Sequence, residues 1–286
     1  MRELTVAFAG MNVLLRHDHD DADRFLHFLF GDLIGFGGSR ERVVDILEHD
    51  HKGLFRLASA DVNYYTGSLG VGFAAALYDL VIYQLLNTNC SGVALHAGAL
   101  VLDGKVMLLP GASGAGKSTL TAWLAAKEDI TCLTDELVLV SEEGGGLVLT
   151  PFTRPLCLKP GSRDVVKTFL PKGALADSLE DQQGLMVPLR RINAIAPPLH
   201  LVPTQLLFPF FRPGVPCALE PLSPARVLPL LISCDVNGRN LADHGFSLLT
   251  RLARSTSAYR LVFSSFDGLE TVLNDLFPPI CEQPGL

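Results

Sequence analysis

Three glycines, a lysine and two serines crowd the stretch Gly111-Ala112-Ser113-Gly114-Ala115-Gly116-Lys117-Ser118, with Thr119 next in line. The stretch fits GxxxxGK[ST] at every defined position. Glycines let a backbone curl until successive N–H groups converge on an anion. A helix opening at Lys117 directs the positive end of its dipole at the same anion. Lys117 can reach the β and γ phosphates of a nucleoside triphosphate, and the Ser118 hydroxyl can ligate Mg²⁺. Thr119 sits in the same first turn. This is a phosphate-binding, Walker A chemistry, and ATP is its expected ligand.

A second feature follows the loop. Asp135 and Glu136 are adjacent carboxylates in ITCLTDELVLV. One can accept the proton of an attacking hydroxyl while its neighbour helps hold Mg²⁺. There is no N-K-x-D guanine reader and no LSGGQ-like segment, so neither a GTPase nor an ABC-type ATPase is indicated. His96, in LHAGALV, lies one hairpin before the loop, and a hairpin of that length brings its strand beside the one feeding the loop. Arg154 and Lys159, in PFTRPLCLKPG, follow the acids by a further hairpin and are candidate clamps for phosphate or acceptor. Arg212 in FPFFRPG is a weaker candidate of the same kind. The run RHDHDDADRFLH, with His17, Asp18, His19, Asp20 and Asp21, reads as a solvated helix start rather than a metal site.

These groups need elements to hold them. KVMLLPG is an apolar strand entering the loop, and KSTLTAWLAAK has helical periodicity leaving it. VALHAGALVL and KVMLLPG are joined by DGK, a hairpin signal. ITCLTDELVLV reads as strand, sharp break, strand, and EEGGG as a turn. LVLTPFTRPLCLKPGSRD reads as extended. From Pro188 to Pro229 recurring prolines favour strands and loops. PARVLPLLI and HGFSLLTRLARS read as helices and AYRLVFSS as a late strand. Nearer the start, ELTVAFAG, NVLLRH, VVDILEH and GLFRLASA read as strands. DADRFLHFLFGDL reads as a helix capped by Asp21 or Asp23. Leu69 to Leu86 is the most apolar stretch, but Asp79 and Gln84 interrupt it. A buried helix over about 70–88 is expected, not a membrane span. A boundary near Cys90 divides residues 1–88, an α+β region without a motif, from 89–286.

Composition narrows the class. Of 286 residues, 48% are apolar, enough to bury a sizeable core. Formal net charge is −7, so neither nucleic acid nor an anionic membrane is an expected partner. Six cysteines form no CxxC pair. With no secretory leader at the start, reduced thiols and a cytoplasmic location are expected.

His96 with Gly98, the loop Gly111 to Ser118 and the pair Asp135-Glu136, in that order, resemble the kinase domain of the HPr kinase/phosphorylase family. The likeness is to its shorter HPr kinase-related members. The resemblance implies an α/β, P-loop kinase domain of the phosphoenolpyruvate carboxykinase-like type. Its sheet is mixed and largely antiparallel, and a small N-terminal α+β region is added to it. It implies ATP- and Mg²⁺-dependent transfer of the γ-phosphoryl group to a hydroxyl, a serine of a small protein or peptide. Lys117, His96 and the acid/base Asp135 carry the transfer, and Ser118 and Glu136 serve the metal. Glu136 stands where the bifunctional enzymes have a second aspartate, and the downstream signature of phosphorylase activity is absent, so the reverse reaction is not implied. A homo-oligomer and a small PqqD-like chaperone are implied partners. A small-metabolite kinase, acting for instance on free serine, and a nucleotide-dependent switch without a phosphoacceptor remain alternatives.

Overall fold

The computed structural model describes residues 1–35, 42–50, 53–87, 91–112, 114–171, 173–192, 200–273 and 276. Ser113 of the glycine loop, Cys90 at the expected boundary, and Cys281 lie outside the described residues.

The chain begins with β1 (Arg2–Phe8) and β2 (Met11–His17), an antiparallel pair closed by Ala9 and Gly10, both at positive φ. That turn matches the right-handed twist of its strands. Helix α1 (Asp20–Phe30) then crosses over, so β3 (Val43–Asp50) returns parallel to β2. β4 (Leu54–Ser59) and β5 (Val62–Gly67) add antiparallel strands, completing the order β1-β2-β3-β4-β5. The cap of α1 is His19, whose ring accepts from Asp21 N–H, rather than Asp21 or Asp23. Those two aspartates are already inside the first turn. Asp21 pairs with Arg24, and Asp23 lies 3.2 Å from the buried imidazole of His17.

Helix α2 (Val71–Leu86) follows, buried along most of its length as its composition requires. Its N-cap is Gly70, which has no side chain to offer. Asp181 supplies the missing acceptor, 2.8 Å from Val71 N–H. No helix of the described residues is long and apolar enough to cross a membrane.

β6 (Gly92–Leu102) and β7 (Lys105–Pro110) form the expected hairpin, turning at Asp103 and Gly104 with φ of 48° and 70°. Next come α3 (Lys117–Ala125), β8 (Ile130–Thr134), β9 (Leu137–Glu143) and β10 (Gly146–Pro151). β8 pairs with the second half of β6 and β9 with the first, so the β8–β9 break falls opposite the middle of β6. β11 (Leu156–Leu158), α4 (Pro160–Lys167), β12 (Leu179–Asp181), β13 (Gly184–Val187) and α5 (Leu189–Ile192) lead on, the three strands making a small sheet. α4 takes the end of the segment expected to be extended, because Pro160 at its first turn is already set for a helix.

β14 (Pro203–Phe211), β15 (Ala218–Pro221), α6 (Pro224–Ile232), α7 (Phe246–Ser255), β16 (Ser257–Phe263) and α8 (Leu269–Leu273) complete the chain. The main sheet runs β10-β9-β6-β7-β14-β16-β15, with β8 also on β6. It is antiparallel from β10 to β7, and parallel through β7, β14 and β16. The protein is thus an α/β molecule with mixed sheets.

Alternation along β6 sorts its side chains between two cores. Leu95, Ala97 and Ala99 meet α6 and α7. Leu100, on the other face, shares a core with α3. The third core, around α1 and α2, also takes in Leu137, Leu139, Phe152 and Met186. Where β7 leaves the first half of β6 unpaired, residues 234–237 cover it. His96 N–H donates to Cys234 O at 2.8 Å, and Val236 N–H to Ala94 O at 2.9 Å. The Asn237 side chain accepts from Ala94 N–H and donates to Gly92 O.

Candidate phosphate-binding and transfer site

The glycine loop joins β7 to α3 at one end of the main sheet. Gly114 and Gly116 have φ of 90° and 86°, the left-handed region that side chains avoid. Gly116 is the N-cap of α3 and offers no side-chain cap. The first N–H groups of α3 have no acceptor within the helix. A phosphate meets that need, and the open Gly114 leaves room for its approach, since a Cβ there would touch nothing within 4 Å. Gly98 serves packing instead: a Cβ there would lie 2.8 Å from Thr121 Oγ1 and push α3 off β6.

Lys117 opens α3 with its amine turned inward, its residue only 6% exposed. Nζ lies 2.8 Å from His96 Nε2 and donates to the Asp135 carbonyl at 3.2 Å. Burial lowers the affinity of the amine for its proton, and the nearby carboxylates only partly restore it. His96 is held below the ordinary histidine range by burial and then by the charge of Lys117. With the ammonium of Lys117 as donor, Nε2 is the acceptor in this contact.

Asp135 and Glu136 occupy the β8–β9 break and point different ways. Glu136 O accepts from Ala97 N–H, and Thr134 Oγ1 accepts from Glu136 N–H, which fixes the break beside His96. The Asp135 carboxylate is wholly buried, with Oδ2 accepting from Cys157 N–H at 3.4 Å and Oδ1 3.5 Å from Arg154 Nε. Oδ1 makes no hydrogen bond in this arrangement. The Glu136 side chain remains 30% exposed, 3.4 Å from His96 Nε2 and 2.5 Å from Arg154 Nη2. Burial alone would raise its pKa. Arg154, with His96, Lys117 and Lys159, outweighs burial and holds it below the usual glutamate value.

Arg154 is thus turned onto both carboxylates, not toward open solvent where a clamp for transferred phosphate would stand. Its guanidinium packs over the Tyr78 ring at 4.9 Å, and Tyr78 donates to Leu29 O at 2.9 Å. The acids keep Arg154 charged despite burial. Lys159 stands at the exposed N-terminus of α4, near enough for its charge to act on Glu136. Ser118 and Thr119 lie half-buried in the first turn of α3.

His96, Lys117, Asp135, Glu136 and Arg154 therefore form one cluster beside the loop. The residue types fit a triphosphate with its divalent cation: capless helix N–H groups, a buried amine, a hydroxyl at Ser118 and carboxylates within the same cluster. Sequence reasoning missed Tyr78 and Cys234. Neither stands in a motif, and a buried aromatic in an apolar helix carries no signal of what lies above it.

No family model matches the chain, and none of the curated proteins is a significant match. Among solved structures, the HPr(Ser) kinase/phosphatase from Coxiella burnetii matches with 12% identity, over 65% of this chain and 90% of that chain, at a TM-score of 0.33. A likeness of that size carries no weight for fold or function.

Proposed function

We propose that the chain is an ATP- and Mg²⁺-dependent phosphotransferase that moves the γ-phosphoryl group to a hydroxyl, with a serine of a small protein or peptide as acceptor. One observation carries the reading: the lysine of the glycine loop touches a histidine and the backbone of an acidic pair held by a buried arginine. A phosphate loop with that constellation beside it is arranged for transfer as well as binding. In the same reading, residues 89–286 form a phosphoenolpyruvate carboxykinase-like P-loop kinase domain, residues 1–88 buttress it, and the protein works in the cytoplasm.

Each side chain has a task. Loop N–H groups and Lys117 hold the triphosphate. Ser118 and Glu136 are the residues that would hold Mg²⁺, which when bound would neutralise phosphate charge. The family resemblance gives the acid/base task to Asp135. The burial of Asp135 favours Glu136 instead, whose carboxylate is the partly exposed one of the pair. Asp135 then fixes Arg154.

The test is incubation with γ-labelled ATP, Mg²⁺ and the proteins and peptides encoded nearby, including any PqqD-like chaperone, with free serine in parallel. Label on a protein or peptide serine, lost with Lys117→Met, is the expected result. Label on free serine makes the protein a metabolite kinase. Hydrolysis without a labelled product makes it a switch. No turnover and no ATP binding reject the reading.

A further inference from the structure

β7 has one neighbour on each side, and the two are unlike. β6 carries His96 and borders Asp135 and Glu136. β14 runs parallel to β7 and ends at Phe211, at the same end of the sheet as the loop. A triphosphate seated in the loop has a reactive end and a nucleoside end. If the reactive end faces the acids on the β6 flank, the nucleoside must leave over the β14 flank.

We propose that the exposed ring of Phe211 is the platform on which the nucleotide base stacks, with Arg212 set for the phosphates on the sugar side. This rests on the phosphate-loop reading above. Phe211 is fastened to the loop, its N–H donating to Ala115 O at 3.2 Å. Its ring meets that of Phe263 edge-on, centroids 5.6 Å apart at 69°. Phe263 is buried, whereas Phe211 is 46% exposed. One ring is thus the support, and the other keeps apolar surface in water beside the loop.

The Phe263 ring and the Phe211 Cβ abut the last loop glycine. A Cβ on Gly116 would lie 2.9 Å from Phe263 Cζ and 3.1 Å from Phe211 Cβ. Arg212 follows, its N–H donating to Phe263 O at 2.8 Å. Its side chain is exposed, and among the described residues it forms no ion pair. An aromatic face with an adjacent unneutralised guanidinium suits a planar base joined to a polyanion. Stacking of this kind accepts any base, so the platform serves affinity and not base choice.

Calorimetry with Mg·ATP and with inorganic tripolyphosphate separates the parts. Phe211→Ala should weaken ATP roughly tenfold or more, the effect of losing a stacked aromatic, and leave tripolyphosphate unchanged. Phe211→Trp should keep ATP affinity. Phe211→Leu retains apolar bulk without a ring, and should behave as the alanine variant does if that variant folds poorly. Lys117→Met should weaken both ligands. Unchanged ATP affinity in Phe211→Ala or Phe211→Leu, or equal loss of both ligands in a variant with native melting temperature, overturns the platform. Failure of the native protein to bind either ligand overturns the phosphate loop itself, and the platform with it.

Discussion

The amine of Lys117 lies 2.8 Å from Nε2 of His96, so the lysine of the glycine loop is tied to the strand one hairpin before it. Two consequences of pH follow from the depressed His96 pKa. Above the ordinary histidine pKa of about 6.5 the neutral ring contributes its full stability. As pH falls through that value the unfolded chain takes the proton more readily than the folded one, and stability drops. The melting temperature should therefore fall on acidification from about pH 8 to about pH 5.5. His96→Gln should fall less over the same range. An identical slope in the two proteins would show that His96 does not titrate in this way.

Asp135→Asn and Glu136→Gln should separate the two carboxylates. Removing the charge of Asp135 leaves Arg154 with only Glu136, and should cost about 2 kcal/mol of stability or more. Glu136→Gln should lower transfer ~10²–10⁴-fold, the usual value of general-base assistance, and should weaken Mg·ATP as well, while ATP without Mg²⁺ binds as to the native protein. If Asp135→Asn instead keeps its stability and loses transfer alone, Asp135 is the base. Urea unfolding, calorimetry and label transfer on both variants decide the matter.

Tyr78 supports Arg154 with its ring and Leu29 O with its hydroxyl. Tyr78→Phe should cost about 1 kcal/mol, one buried hydrogen bond, without altering transfer. Tyr78→Leu also removes the ring beneath the guanidinium and should lower transfer, because Arg154 no longer holds the acids in place. Equal transfer by the two variants would remove Tyr78 from the support of the site.

Asn237 is 1% exposed and serves two backbone groups of β6, Ala94 N–H at 2.8 Å and Gly92 O at 3.0 Å. Asn237→Ala should orphan both and destabilise by about 3 kcal/mol. Asn237→Asp keeps the acceptor but sets a buried carboxylate against Gly92 O, so its loss should equal or exceed that of the alanine variant. Chemical denaturation of the three proteins provides the ordering.

The parts legible in the sequence were local. The glycine loop, the Asp103-Gly104 turn and the strand–break–strand around Asp135 depend on neighbours within a few residues, and each stands where its residues indicate. β5 carries little strand signal, because VNYYTG alternates poorly and is held mainly by pairing with β4. Asp21 and Asp23 carry the usual cap signal, but the helix starts earlier than they indicate, so both fall inside its first turn and His19 caps it. Arg154 reads as a clamp for phosphate or acceptor, because Tyr78, Asp135 and Glu136 approach it only after folding. Asn237 had no legible role at all, since its partners are 143 and 145 positions away.

Leu137, Leu139, Phe152 and Met186 lie in the same buried cluster as the strands and helices of residues 1–86. The order of synthesis gives this arrangement a cost. The first sheet and its helices leave the ribosome with part of their apolar surface still bare. They can close it only when residues 137–152, and finally Met186, have emerged. The first sheet is therefore not finished when it emerges, and its bare apolar surface waits for the strands after the glycine loop.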